Sequence, residues 1–202
     1  MNSFEQGLLR YLSKKQLAQI QSVQVGIGGA GGLGSNVALL LVRTGFKNLE
    51  ILDSDKVDIS NLNRQQYFLK DIGKDKTKVL KRRLLDINPD LQIKIHTIKW
   101  SAHNGSKFFK DCSIIVEAFD QVENKHAFVE FYQDKAKTIV AGNGMAGINS
   151  PKPILVKKLD NIYFVGDNTT DIRHGHPPLA PRVTLCAAMM AEAVLKQTLK
   201  PS

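Results

Sequence analysis

The sequence predicts an α/β protein with a doubly wound, mostly parallel sheet. Three observations predict this class. An alternating apolar strand runs into a glycine-rich turn, which is followed by an apolar helix and a second strand. Further strand and helix segments occur along the chain, which is typical of a parallel sheet with helices on both faces. Near the end, two short strands joined by turn-forming residues indicate an antiparallel C-terminal hairpin on this Rossmann-like fold.

The first unit is built around the stretch VGIGGAGGLGS. Alternating Val23, Val25 and Ile27 predict a buried strand that ends at glycines. The apolar segment Ser35–Arg43 predicts a helix, and Asn48–Asp53 predicts the next strand. A strand, glycine turn, helix and strand in this order form a right-handed βαβ unit, which opens a doubly wound sheet.

The dinucleotide fingerprint GxGxxG fits this stretch in two registers. One register uses Gly26, Gly28 and Gly31, and the other uses Gly29, Gly31 and Gly34. A helix that begins near Gly34 favours the second register. Backbone amides in such a turn approach a phosphate, and the N-terminus of the following helix adds partial positive charge.

The first acidic residue after the turn supports a nucleotide site. Asp53 ends the second strand, about 20 residues beyond the turn, where a carboxylate accepts hydrogen bonds from ribose hydroxyls. The pattern indicates a bound nucleotide and leaves its identity open.

The other elements follow from periodicity and turn signals. We expect one domain, with an N-terminal helix over about residues 4–20, a nucleotide-binding core over 22–142, and a C-terminal hairpin, loop and helix over 143–200. A helix whose face carries Leu80, Leu84 and Ile87 ends before Asn88 and Pro89. The later predicted segments are strands at Gln92–Ile98, Ser113–Glu117 and Thr138–Gly142, a helix at Val122–Gln133, a hairpin over Ile154–Asp167, a loop over 168–182 and a helix at Val183–Leu199.

Composition sets the class of protein. The chain has 202 residues, of which 43% are hydrophobic and 23% charged, and this suits one soluble domain with a substantial core. No apolar run approaches the roughly 20 residues that span a bilayer, and no signal-peptide pattern is present. We therefore expect a cytoplasmic protein without membrane contact.

The charge and the cysteine content limit the kinds of binding partner, metal site and disulfide that we expect. The net charge of +9, much of it in Lys70–Arg83, favours an acidic partner such as a nucleotide, a nucleic acid or an acidic protein surface. Cys112 and Cys186 are isolated, so neither a zinc cluster nor a disulfide framework is expected. Both cysteines are predicted to pack in the interior.

The stretch after Asp53 is not typical of a dehydrogenase. GAGGLGS, DSDKVDISNLNRQ, DIGKDKTKV and EAFDQVENK occur in this order and spacing. Together they resemble the ubiquitin-activating-enzyme superfamily, specifically the ThiF/MoeB/HesA adenylyltransferases that act on small sulfur-carrier proteins. GLLRYLSKKQL and PLAPRVTLCAAMMAEAVL resemble the short form found in thiamine biosynthesis.

The resemblance implies ATP as the nucleotide and a set of contact residues. Asp53 would hold the ribose, Asn61 and Arg64 would lie at the phosphates, and Gln65 would support the same loop. The remaining ATP contacts would come from the glycine turn and two charged residues: Gly29, Gly31, Gly32, Leu33, Gly34, Asp55 and Lys76.

Two charged positions depend on matching the family pattern. Lys76 is chosen over Lys74 and Lys78 as the phosphate-binding lysine, although Asp75 stands where the family usually has proline. Asp120 matches the aspartate that helps to bind Mg²⁺. Arg64, Lys76 and Asp120 are therefore the predicted catalytic residues, and no zinc is expected. From the residue type alone, the alternative role of Asp120 is the N-cap of the helix that follows it, since aspartate is a preferred cap.

The implied reaction is adenylylation of the C-terminal glycine carboxylate of a ubiquitin-like carrier protein that ends in Gly-Gly, with release of pyrophosphate. The resemblance also implies a homodimer, in which Arg10 resembles an arginine that relatives send into the partner's site. Many relatives link covalently to the activated carrier through a cysteine on a crossover loop, and the sequence shows no such cysteine, so adenylylation alone is expected. The alternatives are an ATP-dependent tRNA-nucleoside dehydratase of the same superfamily, an NAD-dependent oxidoreductase, and a non-catalytic binding module. Nucleic acid is not the expected partner, because the sequence shows no RNA-binding surface with interleaved aromatic side chains.

Overall fold

The computed structural model describes residues 1–148, 152–170 and 176–200. Seven strands form one sheet in the spatial order β3-β2-β1-β4-β5-β7-β6. The strands are β1 (Gln24–Gly28), β2 (Asn48–Leu52), β3 (Gln92–His96), β4 (Ile114–Glu117), β5 (Thr138–Gly142), β6 (Leu155–Leu159) and β7 (Ile162–Gly166).

Strand pairing confirms the predicted class. Every neighbouring pair from β3 to β7 is parallel, and β6 pairs with β7 in the antiparallel sense. In the central pairs, Ile27 of β1 lies beside Ile51 of β2 and Val116 of β4. The sheet is therefore the predicted doubly wound, mostly parallel sheet with a C-terminal antiparallel hairpin.

Six helices cover the sheet. They are α1 (Ser3–Leu8), α2 (Lys14–Ser22), α3 (Gly32–Thr44), α4 (Lys76–Leu85), α5 (Val122–Tyr132) and α6 (Ala180–Thr198) within the described residues. Short 3₁₀ turns occur at Ile59–Asn61, Leu69–Asp71 and Gly105–Lys107. None of the helices in the described part of the chain is long and apolar enough to cross a membrane.

Several helix boundaries differ from the prediction. Helix α3 begins at Gly32 rather than at Ser35. The single N-terminal helix is in fact two, because Ser13 starts α2 with a capping box in which its side chain accepts from the amide of Gln16. Helix α6 begins at Ala180 rather than at Val183, with Pro181 in its first turn, where proline is tolerated. The described part of the predicted 168–182 loop, up to Leu179, contains no helix or strand.

The core has one cluster on each face of the sheet. Ile114 and Val116 of β4 belong to the larger cluster, which also includes apolar residues of α3 and α6. Ile115, between them, belongs to the smaller cluster, which is rich in aromatic side chains such as Trp100 and Phe128. Successive strand residues point to opposite faces, so the helices bury both faces of the sheet.

Chain connectivity fixes where a ligand can enter. After β1 the chain moves to β2 on one side, whereas β4 lies on the other side of β1. The carboxyl ends of β1 and β4 therefore form a topological switch point, and ligands of open α/β sheets bind in the crevice outside such a point.

Candidate functional site

A cleft of about 350 Å³ opens at this crevice. Its walls come from the glycine turn, the segments after β2 and β4, the first turn of α4 and the segment after β5. Ten of the predicted site residues line it: Gly29, Gly31, Gly32, Leu33, Asp53, Asp55, Arg64, Gln65, Lys76 and Asp120. Gly34 and Asn61 are outside this lining.

The glycine turn has the second of the two possible registers. Gly26 and Gly28 lie within β1, and α3 begins at Gly32 with Gly31 as its N-cap. Gly29 has a φ of 95°, and a Cβ there would lie 2.7 Å from the carbonyl oxygen of Ala118. A residue other than glycine would be strained at this position.

The N-terminus of α3 is suited to bind an anion. No side chain caps this helix, because its N-cap is Gly31. The first amides of an α-helix have no acceptor within the helix, and here they border the cleft. Such an end attracts negative charge through its N–H groups and the helix dipole.

Gly34 has a packing role. A Cβ at this position would overlap the carbonyl oxygen of Gly29. The absent side chain thus lets the first turn of α3 pack directly against the loop. Predicted contact of Gly34 with a nucleotide has no counterpart in the lining of the cleft, and it stays a prediction.

Asp53 fastens two loops to the end of β2. One carboxylate oxygen accepts from the amide of Ala30 at 2.6 Å, and the other accepts from the amide of Asp55 at 2.7 Å. Burial raises the pKa of the Asp53 carboxyl, while the bond to Ala30 and the charge of Lys76 act in the opposite direction. The predicted ribose contact stays a prediction.

Lys76 and Asp55 form an ion pair in the wall of the cleft. Lys76 Nζ lies 2.8 Å from Asp55 Oδ2, and the lysine side chain is 7% exposed whereas the aspartate side chain is 61% exposed. The Lys76 amide also donates to the Asp55 carbonyl oxygen at 3.0 Å. The pair holds the ammonium group at the cleft.

Arg64 is held by its own loop. Its guanidinium donates to the carbonyl oxygen of Ser60 at 3.1 Å and to Asn63 Oδ1 at 2.8 Å. Burial lowers the pKa of Arg64, and the charge of Asp120 opposes this shift. Asn36, which the sequence analysis missed, donates to the Arg64 carbonyl oxygen at 2.9 Å and so ties this loop to α3.

The other polar residues of this loop have different roles. Asn61 Oδ1 accepts from the amide of Asp58 at 3.1 Å and completes a capping box. Gln65 is buried, and its Oε1 has no hydrogen-bond partner among the described residues. A buried acceptor without a partner costs free energy, so a donor group of a ligand would stabilise Gln65. The predicted phosphate contact of Asn61 stays a prediction.

Asp120 lies on the segment between β4 and α5. It is exposed, and the N-cap of α5 is Gln121, which makes no side-chain cap bond. The alternative role of Asp120 as the helix cap is therefore wrong. No cluster of three or more His, Cys, Asp or Glu suited to a metal is found in residues 1–148, 152–170 and 176–200.

A buried ion pair at the floor of the cleft was also missed. Glu117 ends β4 and accepts from Lys125 Nζ at 3.0 and 3.2 Å and from the amide of Phe119 at 2.7 Å. Lys125 Nζ also donates to the carbonyl oxygen of Gly142 at 3.0 Å. A glutamate at the end of a buried strand needs a cation, and this need was the sequence signal for Lys125.

Neither cysteine is placed for chemistry. Cys112 and Cys186 are both buried, and burial raises the pKa of each thiol to about 12. Cys186 Sγ donates to the carbonyl oxygen of Val165 at 3.4 Å. Arg10 is exposed in the turn between α1 and α2 and does not line the cleft, so its role across a dimer stays a prediction.

Curated relatives share parts of this sequence. A tRNA threonylcarbamoyladenosine dehydratase of Haemophilus influenzae is 27% identical over 164 residues, which cover 79% of this chain and 63% of that protein. SUMO-activating enzyme subunit 2 of Dictyostelium discoideum is 38% identical over 118 residues, which cover 57% of this chain and 18% of that protein. The matches thus span less than two thirds of these relatives.

Solved structures share the fold. The E. coli tRNA N6-threonylcarbamoyladenosine dehydratase TcdA in complex with AMP superimposes with a TM-score of 0.85 at 22% identity, covering 96% of this chain and 93% of that one. E. coli MccB with ATP gives a TM-score of 0.73 at 22% identity, covering 91% and 57%.

The family match covers nearly the whole chain. The ThiF family matches residues 5–201, a range that contains the glycine turn, the Arg64 loop and every other wall of the cleft. The chain therefore belongs to the ThiF family.

Proposed function

We propose that this chain binds ATP in the cleft and adenylylates a carboxylate of a second molecule. One observation carries the proposal: the uncapped N-terminus of α3 borders the same cleft as the side chains of Arg64 and Lys76. Two cations and free backbone amides form an environment for a polyanion. The ATP and AMP complexes of similar structures support a nucleotide as that anion.

The residues present fit Mg²⁺ bound together with a triphosphate. Mg²⁺ is usually held by one or two carboxylates plus phosphate oxygens, so the exposed carboxylate of Asp120 is sufficient as its protein ligand. The ion would neutralise charge on the departing pyrophosphate. Gln65 Oε1 is buried without a partner among the described residues, so it is available to accept a hydrogen bond from a ligand in the cleft.

The reaction needs no nucleophile from the protein. A carboxylate oxygen of the acceptor attacks the α-phosphorus, the bond to the pyrophosphate oxygen breaks, and an acyl-adenylate and pyrophosphate result. Arg64 and Lys76 offset the negative charge as it redistributes in the transition state. Catalysis then rests on positioning and electrostatics, in agreement with the buried, weakly acidic thiols of both cysteines.

A tRNA nucleoside is the acceptor that the comparisons favour. Dehydratases that act on tRNA threonylcarbamoyladenosine match 75–79% of this chain. After adenylylation of a nucleoside carboxylate, AMP would leave when an internal nucleophile attacks the carbonyl carbon, with net loss of water. The net charge of +9 suits an RNA substrate.

The second candidate acceptor is the C-terminal carboxylate of a ubiquitin-like carrier protein that ends in Gly-Gly. A SUMO-activating subunit at 38% identity, a probable molybdopterin-synthase adenylyltransferase at 34% and a NEDD8-activating subunit at 32% favour it, each over a shorter stretch. The carrier tail would enter between the Arg64 loop and the segment after β5. A carrier protein of the thiamine pathway, which the sequence resemblance implies, is a specific form of this candidate.

The test is AMP and pyrophosphate release from ATP and Mg²⁺ with each acceptor supplied separately. Dependence on tRNA, together with loss of water from its modified nucleoside, supports the first acceptor, and dependence on a Gly-Gly-ended carrier supports the second. Absence of both products with either acceptor contradicts adenylylation and favours an NAD-dependent oxidoreductase or a non-catalytic binding module.

Two variants link the activity to the site. Arg64→Ala and Asp120→Ala are each expected to lower the rate by about 100-fold or more. Glu123→Gln, an exposed change in the first turn of α5, is the control for Asp120 and should retain the activity. Normal turnover in Asp120→Ala contradicts the Mg²⁺ assignment.

A further inference from the structure

A second groove lies on the outer side of the segments that carry Asp55 and Lys76. Its volume is about 380 Å³, and its walls are the segment after β2, the loop before α4 and the first turns of α4. Four cationic side chains and one carboxylate line it: Lys56, Lys74, Lys78, Arg82 and Asp75. Among the described residues, Val79 is the one apolar side chain of this lining.

A short backbone bridge separates this basic groove from the cleft. Lys56 pairs with Asp75 in an antiparallel β-bridge, and the adjacent Lys76 amide donates to the Asp55 carbonyl oxygen at 3.0 Å. Successive side chains of extended chains point to opposite sides. Asp55 and Lys76 accordingly line the cleft, whereas Lys56 and Asp75 line the groove. The two depressions share a thin wall.

The carboxylates in and beside the groove offset part of its charge. Lys78 Nζ lies 2.6 Å from Asp75 Oδ2. Arg82 lies 3.0 Å from the buried carboxylate of Asp71, which also pairs with Arg83. Because one carboxylate serves two guanidinium groups, the arginine pair keeps an excess positive charge.

The remaining two cations have no carboxylate in ion-pair contact among the described residues, although Lys56 is near enough to Asp75 to contribute to the lowered pKa of that carboxyl. Lys56 and Lys74 are exposed, and neither forms an ion pair with any residue of the described part of the chain. Lys74 Nζ donates to the carbonyl oxygen of Lys70 at 2.6 Å, which holds its ammonium group without neutralising it. The groove thus has a net positive charge at the border of the cleft.

We propose that this basic groove binds the phosphate backbone of an RNA substrate whose reacting nucleoside lies in the adjacent cleft. The inference rests on the proposed function with a tRNA nucleoside as acceptor. RNA is held largely through phosphate contacts to lysine and arginine. A nucleotide chain that enters the cleft must pass its neighbouring phosphates over the surrounding surface, and the thin shared wall puts four cations there.

The lining of the groove favours RNA over an acidic protein. Protein interfaces have a core enriched in aromatic and apolar side chains and depleted in charge. Val79 is the one apolar contribution among the described lining residues, and the rest of the side chains are charged. An acidic polypeptide as the occupant is an outcome that the experiment distinguishes.

The experiment compares two double charge reversals in the full chain. Lys56→Glu with Lys74→Glu changes the two cations of the groove that form no close ion pair. Lys14→Glu with Lys15→Glu is the matched control, because both lysines are exposed in the first turn of α2, where acidic residues are favoured. The affinity for fluorescein-labelled bulk bacterial tRNA is measured at several KCl concentrations, with poly-glutamate as an acidic competitor.

The groove variant is expected to bind tRNA about tenfold or more weakly, and its slope of log Kd against log [KCl] should decrease by about 1–2. The control should keep the slope of the unmodified protein. Three results overturn the proposal. They are an unchanged slope in the groove variant, a loss of tRNA affinity in the control equal to that in the groove variant, and displacement of labelled tRNA by poly-glutamate as effective as displacement by unlabelled tRNA.

The experiments distinguish an error in the groove proposal from an error in the proposed function. AMP release that depends on tRNA, combined with unchanged tRNA affinity in the groove variant, overturns the groove alone. Groove-dependent tRNA affinity without AMP release supports the groove and contradicts adenylylation. Lack of tRNA binding by the unmodified protein overturns the proposal that the groove binds RNA.

Discussion

At the scale of single residues, the charged groups of the cleft differ in how firmly they are held. Lys76 is buried and paired with Asp55, whereas Asp120 is exposed and is not the N-cap of α5. A buried cation beside free helix amides acts on a phosphate in a medium of low dielectric, where its interaction is stronger than in water. These surroundings support the proposed phosphate-binding role of Lys76.

Replacement of Lys76 tests this claim. Lys76→Ala is expected to lower kcat/KM for AMP formation by about 100-fold or more, because the transition state loses a positioned cation. Lys81→Ala is the matched control, since Lys81 is on the same helix and lines neither the cleft nor the basic groove. Steady-state kinetics with circular dichroism to verify folding make the comparison. Equal losses in both variants contradict the choice of Lys76.

Thiol reactivity tests the absence of a covalent cysteine step. Burial raises the pKa of Cys112 and Cys186 to about 12, so at pH 8 only about one thiol in 10⁴ is ionised. We expect iodoacetamide to leave the folded protein unmodified at pH 8 and to alkylate both cysteines in guanidinium chloride. Mass spectrometry reads the result. Alkylation of Cys186 in the folded protein at the rate of a free thiol would contradict its packing role.

At the scale of elements, the junction between β1 and α3 depends on close backbone approach. Gly34 sits where a side chain would overlap the carbonyl oxygen of Gly29, and Gly29 itself has a positive φ. The two glycines let the first turn of α3 rest on the loop. The resulting junction presents the helix amides to the cleft.

Gly34→Ala is expected to destabilise the fold by about 1–3 kcal/mol, because the added methyl group forces the backbone apart. Each kcal/mol lowers Tm by roughly 2–4 °C in a protein of this size. Gly7→Ala in α1 is the control, since a Cβ there meets nothing within 4 Å, and alanine should stabilise this helix by about 0.5–1 kcal/mol. Differential scanning calorimetry measures both, and a Tm for Gly34→Ala equal to that of the unmodified protein would refute the packing argument.

The segment between β2 and α4 serves two surfaces. One side of its β-bridge contributes Asp55 and Lys76 to the cleft, and the other contributes Lys56 and Asp75 to the basic groove. Asp71, fully buried, holds the end of this segment by accepting from the amide of Phe68 and from two arginines of α4. A substrate that contacts both the cleft and the basic groove would therefore contact the two sides of this one segment.

At the scale of the whole molecule, the fold joins a nucleotide cleft to a strongly basic surface. The net charge of +9 is unevenly distributed, since the 70–83 segment alone has seven Lys or Arg and two Asp residues. Charge of this sign speeds association with polyanions and makes it dependent on salt. A homodimer remains a proposal from family resemblance, and sedimentation velocity would test it.

Ligand-dependent stability tests the identity of the nucleotide. ATP with Mg²⁺ at 100 times its Kd should stabilise the folded protein by about 2.7 kcal/mol, because it binds the folded state alone. NAD at the same concentration should leave Tm unchanged. Thermal unfolding followed by fluorescence makes the comparison. A larger shift with NAD than with ATP would contradict the proposed function and support an oxidoreductase.

The sequence alone determined the local elements and the class of fold. Glycines and alternating apolar residues specify the β1 turn and the strands through short-range sterics and burial, which act over a few residues. The register of the glycine turn was predictable for this reason. Helix boundaries were less predictable, because the break at Ser13 and the earlier start of α6 depend on residues at the helix ends.

Only the tertiary structure decided which distant residues meet. Asn36 holds the Arg64 loop, and buried Glu50 of β2 accepts from the amide of Phe109 at 3.1 Å. Contacts of this kind depend on how the sheet brings strand ends together, and no short-range pattern encodes them. The residue types that line the cleft could therefore be predicted from the sequence. The chain path through β1, β4 and the β-bridge determined which of these side chains line the cleft and which lie outside it.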